Sequence, residues 1–237
     1  MSTYKGYKID GIICVDNAQG ETTTDISSKA VDKLIREYDV DIDNVRVMLL
    51  VTQDEDFLFP STAFAVQAKT QMTTDCMVYD INLGGDGFIT GLETLIGLLI
   101  PYDNSKGIII TADKEKAVAA LVGKCNEDIT MTFYHRSYPE YWDIAWQSRW
   151  NDERIYIKEK YNLLRDKALE YIDELLSQND SPKLLFPQQC IEDKIIDTPV
   201  SIPIMLSETC VTNSKDNYTL CGMGAGGAIS LMVCGHV

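Results

Sequence analysis

Several features that would point directly to a function are scarce or missing in this chain of 237 residues. It contains only two histidines, which excludes a histidine-rich metal site, and its seven cysteines include no C-x-x-C pair. An odd number of widely spaced cysteines is typical of reduced, buried thiols rather than of a disulfide framework or a zinc site. The sequence therefore predicts no metal centre.

Positive charge and long apolar runs are also scarce. Lys and Arg number 21 against 36 Asp and Glu, a formal net charge of −15. Such a chain lacks the basic footprint of a general nucleic-acid binder, and an anionic membrane surface would repel it. Its most apolar stretch, Leu95 to Pro101, is far shorter than the ~20 residues of a membrane span. The N-terminal segment has no signal-peptide pattern, so we expect a cytoplasmic protein that binds neither nucleic acid nor membrane.

Strand and helix patterns alternate through the first half of the chain. β-branched apolar runs of strand length predict strands, several of them buried on both faces. These strands are predicted at 8–15, 44–53, 76–82 and 106–113. Helices are predicted between them at 27–38, at 88–100 and, after a Pro-containing loop, within 56–71. This alternation predicts an α/β fold with a largely parallel sheet.

The second half begins with a different composition. Residues 127–150 are aromatic-rich and irregular and hold all three Trp, so we expect an ordered excursion or an interface rather than a linker. Beyond it we predict the longest helix at 151–178, a strand at 183–190, a short helix at 201–211, and strand, glycine turn and strand over 218–234. The predicted domain division is 1–126, 127–150 and 151–237.

One glycine motif resembles a nucleotide-binding fingerprint. Residues 222–227 read GMGAGG, with glycines at Gly222, Gly224, Gly226 and Gly227. A dinucleotide site needs a helix directly after this motif, whose N-terminus binds the pyrophosphate. The segment that follows, AISLMVC, is β-branched and apolar. We therefore interpret the motif as a glycine hairpin in which backbones approach closely, and we predict no cofactor.

A second glycine-rich turn, LGGDG, joins a predicted buried strand to a predicted buried helix. Such an elbow, with Gly84 and Gly87 in its turn, can present a nucleophile at the helix N-terminus. The position just before the helix is Gly85, which has no side chain. Asp86 follows it and is interpreted as a helix N-cap rather than a catalyst. His135 lies in the aromatic-rich segment and is interpreted as a surface or hydrogen-bonded residue rather than a catalytic base.

Four stretches together resemble the β-ketoacyl-acyl-carrier-protein synthase III family of the thiolase fold. They are VTQDEDFLFPSTAFAVQ at 51–67, MVYDINLGGDGFITGLE at 77–93, KLLFPQQC at 183–190, and SIPIMLSE at 201–208 with CGMGAGGAISLMVC at 221–234. The resemblance implies a truncated thiolase-like fold with layers in the order α/β/α/β/α. Compared with the family, the N-terminal half is trimmed at its start and the C-terminal half is shortened.

The resemblance also shows departures from the family's catalytic set. The family uses a Cys that accepts the acyl group as a thioester, and a His and an Asn that bind the thioester carbonyl. The Cys position reads Gly85, and the His position reads Gln188 between Pro187 and a second Gln. The Asn position reads Ile196, with Asp197 beside it. The resemblance therefore implies that all three catalytic functions are missing or replaced.

The expected function is a non-catalytic ketosynthase III-like subunit of an acyltransferase complex in fatty-acid, polyketide or related biosynthesis. The expected partner is a catalytically intact ketosynthase III-like chain, in a heterodimer or heterotetramer, with acyl carrier protein engaged only indirectly. The resemblance places Phe57, Leu58, Phe59 and Pro60 in a loop that enters the partner's acyl pocket, although Phe59 in the chain's own core is an alternative.

Two other functions stay open from the sequence. One is an enzyme with rewired acyl-transfer or hydrolase chemistry that uses Asp86, Asp197, His135 or Cys190. The other is a stand-alone homodimeric binding protein.

Overall fold

The computed structural model describes most of the chain. The described residues are 1–18, 20–57, 59–141, 145–147, 155–157, 161–178, 183–185, 200–209, 217–224 and 227–236. The helices are α1 (Thr23–Glu37), α2 (Thr62–Lys69), α3 (Gly87–Leu99), α4 (Tyr161–Gln178) and α5 (Ser201–Thr209). The strands are β1 (Ser2–Lys5), β2 (Tyr7–Asp16), β3 (Val45–Thr52), β4 (Met77–Ile81), β5 (Lys106–Ala112), β6 (Lys116–Lys124), β7 (Ile129–Ser137), β8 (Ala145–Gln147), β9 (Ile155–Ile157), β10 (Lys183–Leu185), β11 (Tyr218–Gly224) and β12 (Ala228–His236).

The first sheet has five strands in the order β2-β6-β5-β3-β4. The pairs β3–β4 and β3–β5 are parallel, whereas β5–β6 and β6–β2 are antiparallel. The prediction of a largely parallel sheet was therefore wrong. The cause is a tight turn after β5, where the Asp113 carboxylate accepts hydrogen bonds from the backbone N–H groups of Glu115 and Lys116, both at 2.8 Å. This turn folds the chain directly back into β6, a strand that the pattern analysis missed.

The second sheet has the order β1-β7-β12-β11-β10, and among these pairs only β10–β11 is parallel. Strand β7, which pairs with β1 on one side and β12 on the other, lies within the segment that was expected to be irregular, so that expectation was wrong for residues 129–137. Ile129, Met131 and Phe133 alternate with polar residues and are buried, which is the period-two pattern of a half-buried strand. Farther on, α4 begins at Tyr161 rather than near 151, because residues 155–157 pair with β8 instead.

Helix α3 explains the layering of the fold. It packs against β3 and β5 of the first sheet and against β11 and β12 of the second, so it is covered on two faces. This double burial is the reason for its nearly continuous apolar sequence. Helices α1 and α2 cover the outer face of the first sheet, while α4 packs Tyr171, Ile172 and Leu175 on the outer face of the second. The predicted α/β/α/β/α order of a thiolase-like fold is confirmed.

Within the described residues, no helix combines the length and the apolar character that crossing a membrane requires.

Candidate functional site

The elbow lies between the edge strand β4 and the central helix α3. Residues 84–87 are all buried, and the N–H of Gly87 donates to the carbonyl oxygen of Gly84 over 2.8 Å, which closes the turn. The predicted nucleophile position, Gly85, thus has the backbone placement of an elbow without a side chain. Asp86 is the N-cap residue of α3, as predicted, but its side chain makes no capping hydrogen bond to the helix.

The Asp86 carboxylate instead faces the glycine strand β11. A Cβ added to Gly224 would lie 2.3 Å from Asp86 Oδ1, and one added to Gly222 would lie 2.4 Å from the carbonyl oxygen of Gly85. Such separations are well below van der Waals contact, so only glycine allows β11 to approach the elbow this closely. The hairpin interpretation of the motif is confirmed, because β11 and β12 pair antiparallel. Gly227 lies in the turn with a positive φ of 82°, and Gly226 lies outside the described residues.

The Phe-Pro-Ser loop holds exposed aromatic side chains. Phe59 is 92% exposed and Phe57 46%, while Leu58 lies outside the described residues. Phe64 on α2 and Tyr79 on β4 are also large exposed aromatics. We call Phe57, Phe59, Phe64 and Tyr79 the aromatic surface. The alternative that Phe59 belongs to the chain's own core is wrong, and Pro60 is likewise exposed.

Two half-buried carboxylates hold this loop in place. Asp80 on β4 accepts hydrogen bonds from the backbone N–H groups of Thr62 (2.7 Å) and Ala63 (2.6 Å), which are orphan donors at the start of α2. Burial raises the pKa of Asp80, and these two hydrogen bonds oppose the rise. Asp56 accepts in the same way from the N–H of Thr24 over 2.6 Å at the start of α1. The loop is therefore anchored through Asp56 and through the Asp80 carboxylate of β4, while Phe59 remains in solvent.

His135 on β7 lies in a hydrogen-bonded group that sequence reasoning did not detect. Its Nδ1 is 2.9 Å from Ser230 Oγ on β12, and its Nε2 contacts the Glu93 carboxylate on α3. The other oxygen of Glu93 accepts a hydrogen bond from the Ser2 hydroxyl. No motif could have found this group, because its residues come from four separate elements that only the tertiary fold brings together.

The neighbouring Arg136 does not join this group. Because successive residues of a strand point to opposite faces, its side chain extends toward α4. There it donates to Glu174 over 2.8 Å and lies 3.8 Å above the Tyr171 ring. Arg136 therefore fixes α4 on the sheet.

The remaining sequence candidates are Gln188, Cys190, Ile196 and Asp197. All four lie outside the described residues.

Comparison with known proteins extends the sequence resemblance. No family model matches the chain. A β-ketoacyl-acyl-carrier-protein synthase III of Lactococcus lactis subsp. cremoris is 32% identical over 94 residues, which is 40% of this chain and 29% of that protein. A β-ketoacyl-acyl-carrier-protein synthase III 2 of Halalkalibacterium halodurans is 34% identical over 96 residues, again 40% and 29%. The matched segment thus spans less than a third of the length of these curated relatives.

Solved structures are similar over nearly the whole chain. A 3-oxoacyl-(acyl-carrier protein) synthase from Burkholderia xenovorans LB400 superposes with a TM-score of 0.83 at 14% identity, covering 98% of this chain and 95% of that one. A variant of the OleA protein of Xanthomonas campestris gives a TM-score of 0.80 at 14% identity, covering 98% and 99%. At this identity the likeness shows the fold alone, which is thiolase-like.

Proposed function

We propose that this chain is a non-condensing ketosynthase III-like subunit that pairs with a catalytically intact synthase and completes its acyl site. The proposal extends a likeness to β-ketoacyl synthases that covers only part of their sequences. The observation that carries it is the elbow, which keeps its strand, turn and helix around a glycine at the nucleophile position.

The elbow supports the non-condensing half of the proposal on chemical grounds. Condensation by covalent catalysis requires a nucleophilic side chain that forms an acyl thioester. Gly85 has none, and the space between α3 and β11 is filled by the Asp86 carboxylate against Gly224. The family resemblance further implies that Gln188 and Ile196 stand at the positions of its His and Asn. An intact elbow without these groups supports a scaffold that has kept its shape and lost condensation.

The aromatic surface supports the pairing half. Strand β4 is at the end of its sheet, so among the described residues no strand pairs with its outer edge. An open strand edge readily pairs with another chain. Phe57, Phe59 and Phe64 lie exposed on the elements around this edge, and aromatic residues are enriched at protein interfaces. A partner strand added to β4 would cover part of this surface and leave Phe59 to enter the partner's pocket.

The net charge of −15 disfavours docking of the acyl carrier protein on this chain. Acyl carrier proteins are acidic, and like charges repel at long range. In the proposed complex the carrier docks on the partner subunit, and this chain contacts it only indirectly.

The test measures assembly with and without a partner. The chain is purified alone and its mass in solution is determined; it is then co-expressed with the catalytically intact ketosynthase III of the same cell. The proposal predicts a hetero-complex, which Tyr79→Asp on the edge strand should weaken at least tenfold. Ile100→Asp is the matched control, because Ile100 is 55% exposed but lies at the far end of α3. A stable homodimer that does not bind the intact synthase would favour the stand-alone binding protein and overturn the proposal.

A further inference from the structure

Three side chains that are distant in sequence form a continuous acid, imidazole and hydroxyl chain. Glu93 on α3 contacts His135 Nε2, and His135 Nδ1 is 2.9 Å from Ser230 Oγ. His135 and Ser230 are direct partners in the antiparallel pairing of β7 with β12, so the backbone fixes their side chains next to each other. We propose that Ser230, His135 and Glu93 form a hydrolytic centre for small acyl esters and thioesters.

The hydrogen bonds assign a role to each group. The Glu93 carboxylate can only accept, so the proton of the neutral imidazole lies on Nε2. The lone pair of Nδ1 then faces the Ser230 hydroxyl and can take its proton. Glu93 is itself fixed, because its second oxygen accepts from the Ser2 hydroxyl. In activated serine nucleophiles the hydroxyl is generally hydrogen-bonded to a base, and a third group orients that base.

The position of Ser230 connects this group to the elbow. Ser230 is the strand partner of Gly222, and a Cβ on Gly222 would meet the backbone of Gly85 and Asp86. Neighbouring strands are ~5 Å apart, so the serine lies one strand spacing from Gly222, the glycine that contacts the elbow. Ser230 is 1% exposed, whereas the imidazole side chain of His135 is 35% exposed. The serine is therefore shielded from bulk water, so we expect slow turnover and a preference for small acyl groups.

The reaction balances with water as the only co-reactant. Ser230 Oγ attacks the acyl carbonyl carbon as its proton passes to His135 Nδ1. The tetrahedral intermediate collapses, the bond to the leaving alcohol or thiol breaks, and the imidazolium gives that proton to the leaving group. Water then attacks the acyl-serine with His135 again as base, which releases the carboxylic acid and restores the hydroxyl.

The test is labelling of the purified chain with diisopropyl fluorophosphate and peptide mapping by mass spectrometry, together with hydrolysis of p-nitrophenyl acetate. The wild-type chain should carry the label on Ser230. General-base catalysis contributes about 10²–10⁴-fold, so His135→Gln should lower both labelling and hydrolysis at least a hundredfold, and Ser230→Ala should abolish them. Thr94→Ala is the control, because Thr94 is an exposed neighbour of Glu93 on the same helix.

Two outcomes would overturn the hydrolytic centre. One is a wild-type chain that acquires no label on Ser230, a result that needs no variant to fold. The other is labelling of Ser230 at an unchanged rate in His135→Gln, which would show that the imidazole does not activate the hydroxyl. Neither outcome affects assembly with a partner through β4, so the proposed pairing and the hydrolytic centre are tested independently.

Discussion

The contact between the elbow and β11 gives a quantitative prediction. A methyl group on Gly222 would lie 2.4 Å from the carbonyl oxygen of Gly85 and 2.8 Å from Asp86 Cα. These are backbone atoms, so no side-chain rotation relieves the overlap. Overpacking of this kind costs roughly 1–3 kcal/mol. We expect Gly222→Ala to lower the free energy of unfolding by that amount, and each kcal/mol corresponds to about 2–4 °C in Tm for a chain of this size.

Gly224→Ala is the informative comparison. Its methyl group would lie 2.3 Å from Oδ1 and 3.3 Å from Oδ2 of the Asp86 carboxylate. Unlike the backbone of Gly85, this side chain can be removed by mutation. In an Asp86→Ala background the cost of Gly224→Ala should fall by at least half, whereas the cost of Gly222→Ala should remain. Urea denaturation of the single and double variants gives these differences as a double-mutant cycle.

Two results would contradict this reasoning. If Gly222→Ala unfolds at the wild-type urea concentration, β11 does not lie against the elbow as described. If Asp86→Ala rescues both glycine variants equally, the overlap is not with the backbone of Gly85, and the glycine requirement has another cause.

Three further predictions follow from the site and its surroundings. Gly85→Cys should not restore condensation, measured as release of CO₂ from a malonyl thioester, because the family resemblance predicts Gln188 and Ile196 at the His and Asn positions; measurable turnover would contradict this. Phe59→Ala should leave the hetero-complex assembled but broaden the range of acyl chains that the partner accepts, and Phe59→Trp should shift that range to shorter chains. A wild-type product profile from both variants would show that Phe59 has no role in the partner's pocket. Lys69 and the Thr22 hydroxyl and N–H lower the pKa of Asp25 to about 2, so its stabilising effect is complete above the unfolded pKa of ~4 and is lost as pH falls through 2. Asp25→Asn should therefore lower stability at pH 7 and have no effect below pH 2, as urea titrations at both values would show.

For the aromatic surface, residue type alone could not predict whether Phe59 is buried or exposed. The sequence placed Phe59 at the tip of a Pro-containing loop and left core and interface open, because an apolar ring is compatible with both. The structure excludes the chain's own core, since Asp80 and Asp56 anchor the loop through helix N-termini and the ring is 92% exposed. Neither carboxylate has a sequence signature, because each one caps a helix that is not its own.

The segment expected to be irregular was interpreted wrongly at strand β7. This strand alternates apolar and polar residues, but the aromatic residues around it obscured the two-residue period, and the segment was expected to be an excursion. Its place as an interior strand of a sheet depends on β1 and β12, which lie near opposite ends of this sequence. Pairings at such long sequence separation leave no trace in a local pattern.

What the sequence determined by itself was the alternation of strands and helices, the buried central helix, the glycine hairpin and the absence of a side chain at the elbow. Each of these follows from local composition, periodicity or residue identity, which a single sequence displays directly. Only the tertiary structure decided the strand order, the approach of β11 to Gly85, the exposure of Phe59 and the meeting of Glu93, His135 and Ser230. These features depend on distances between residues that are far apart in the chain, and such distances are set by packing two sheets around one helix.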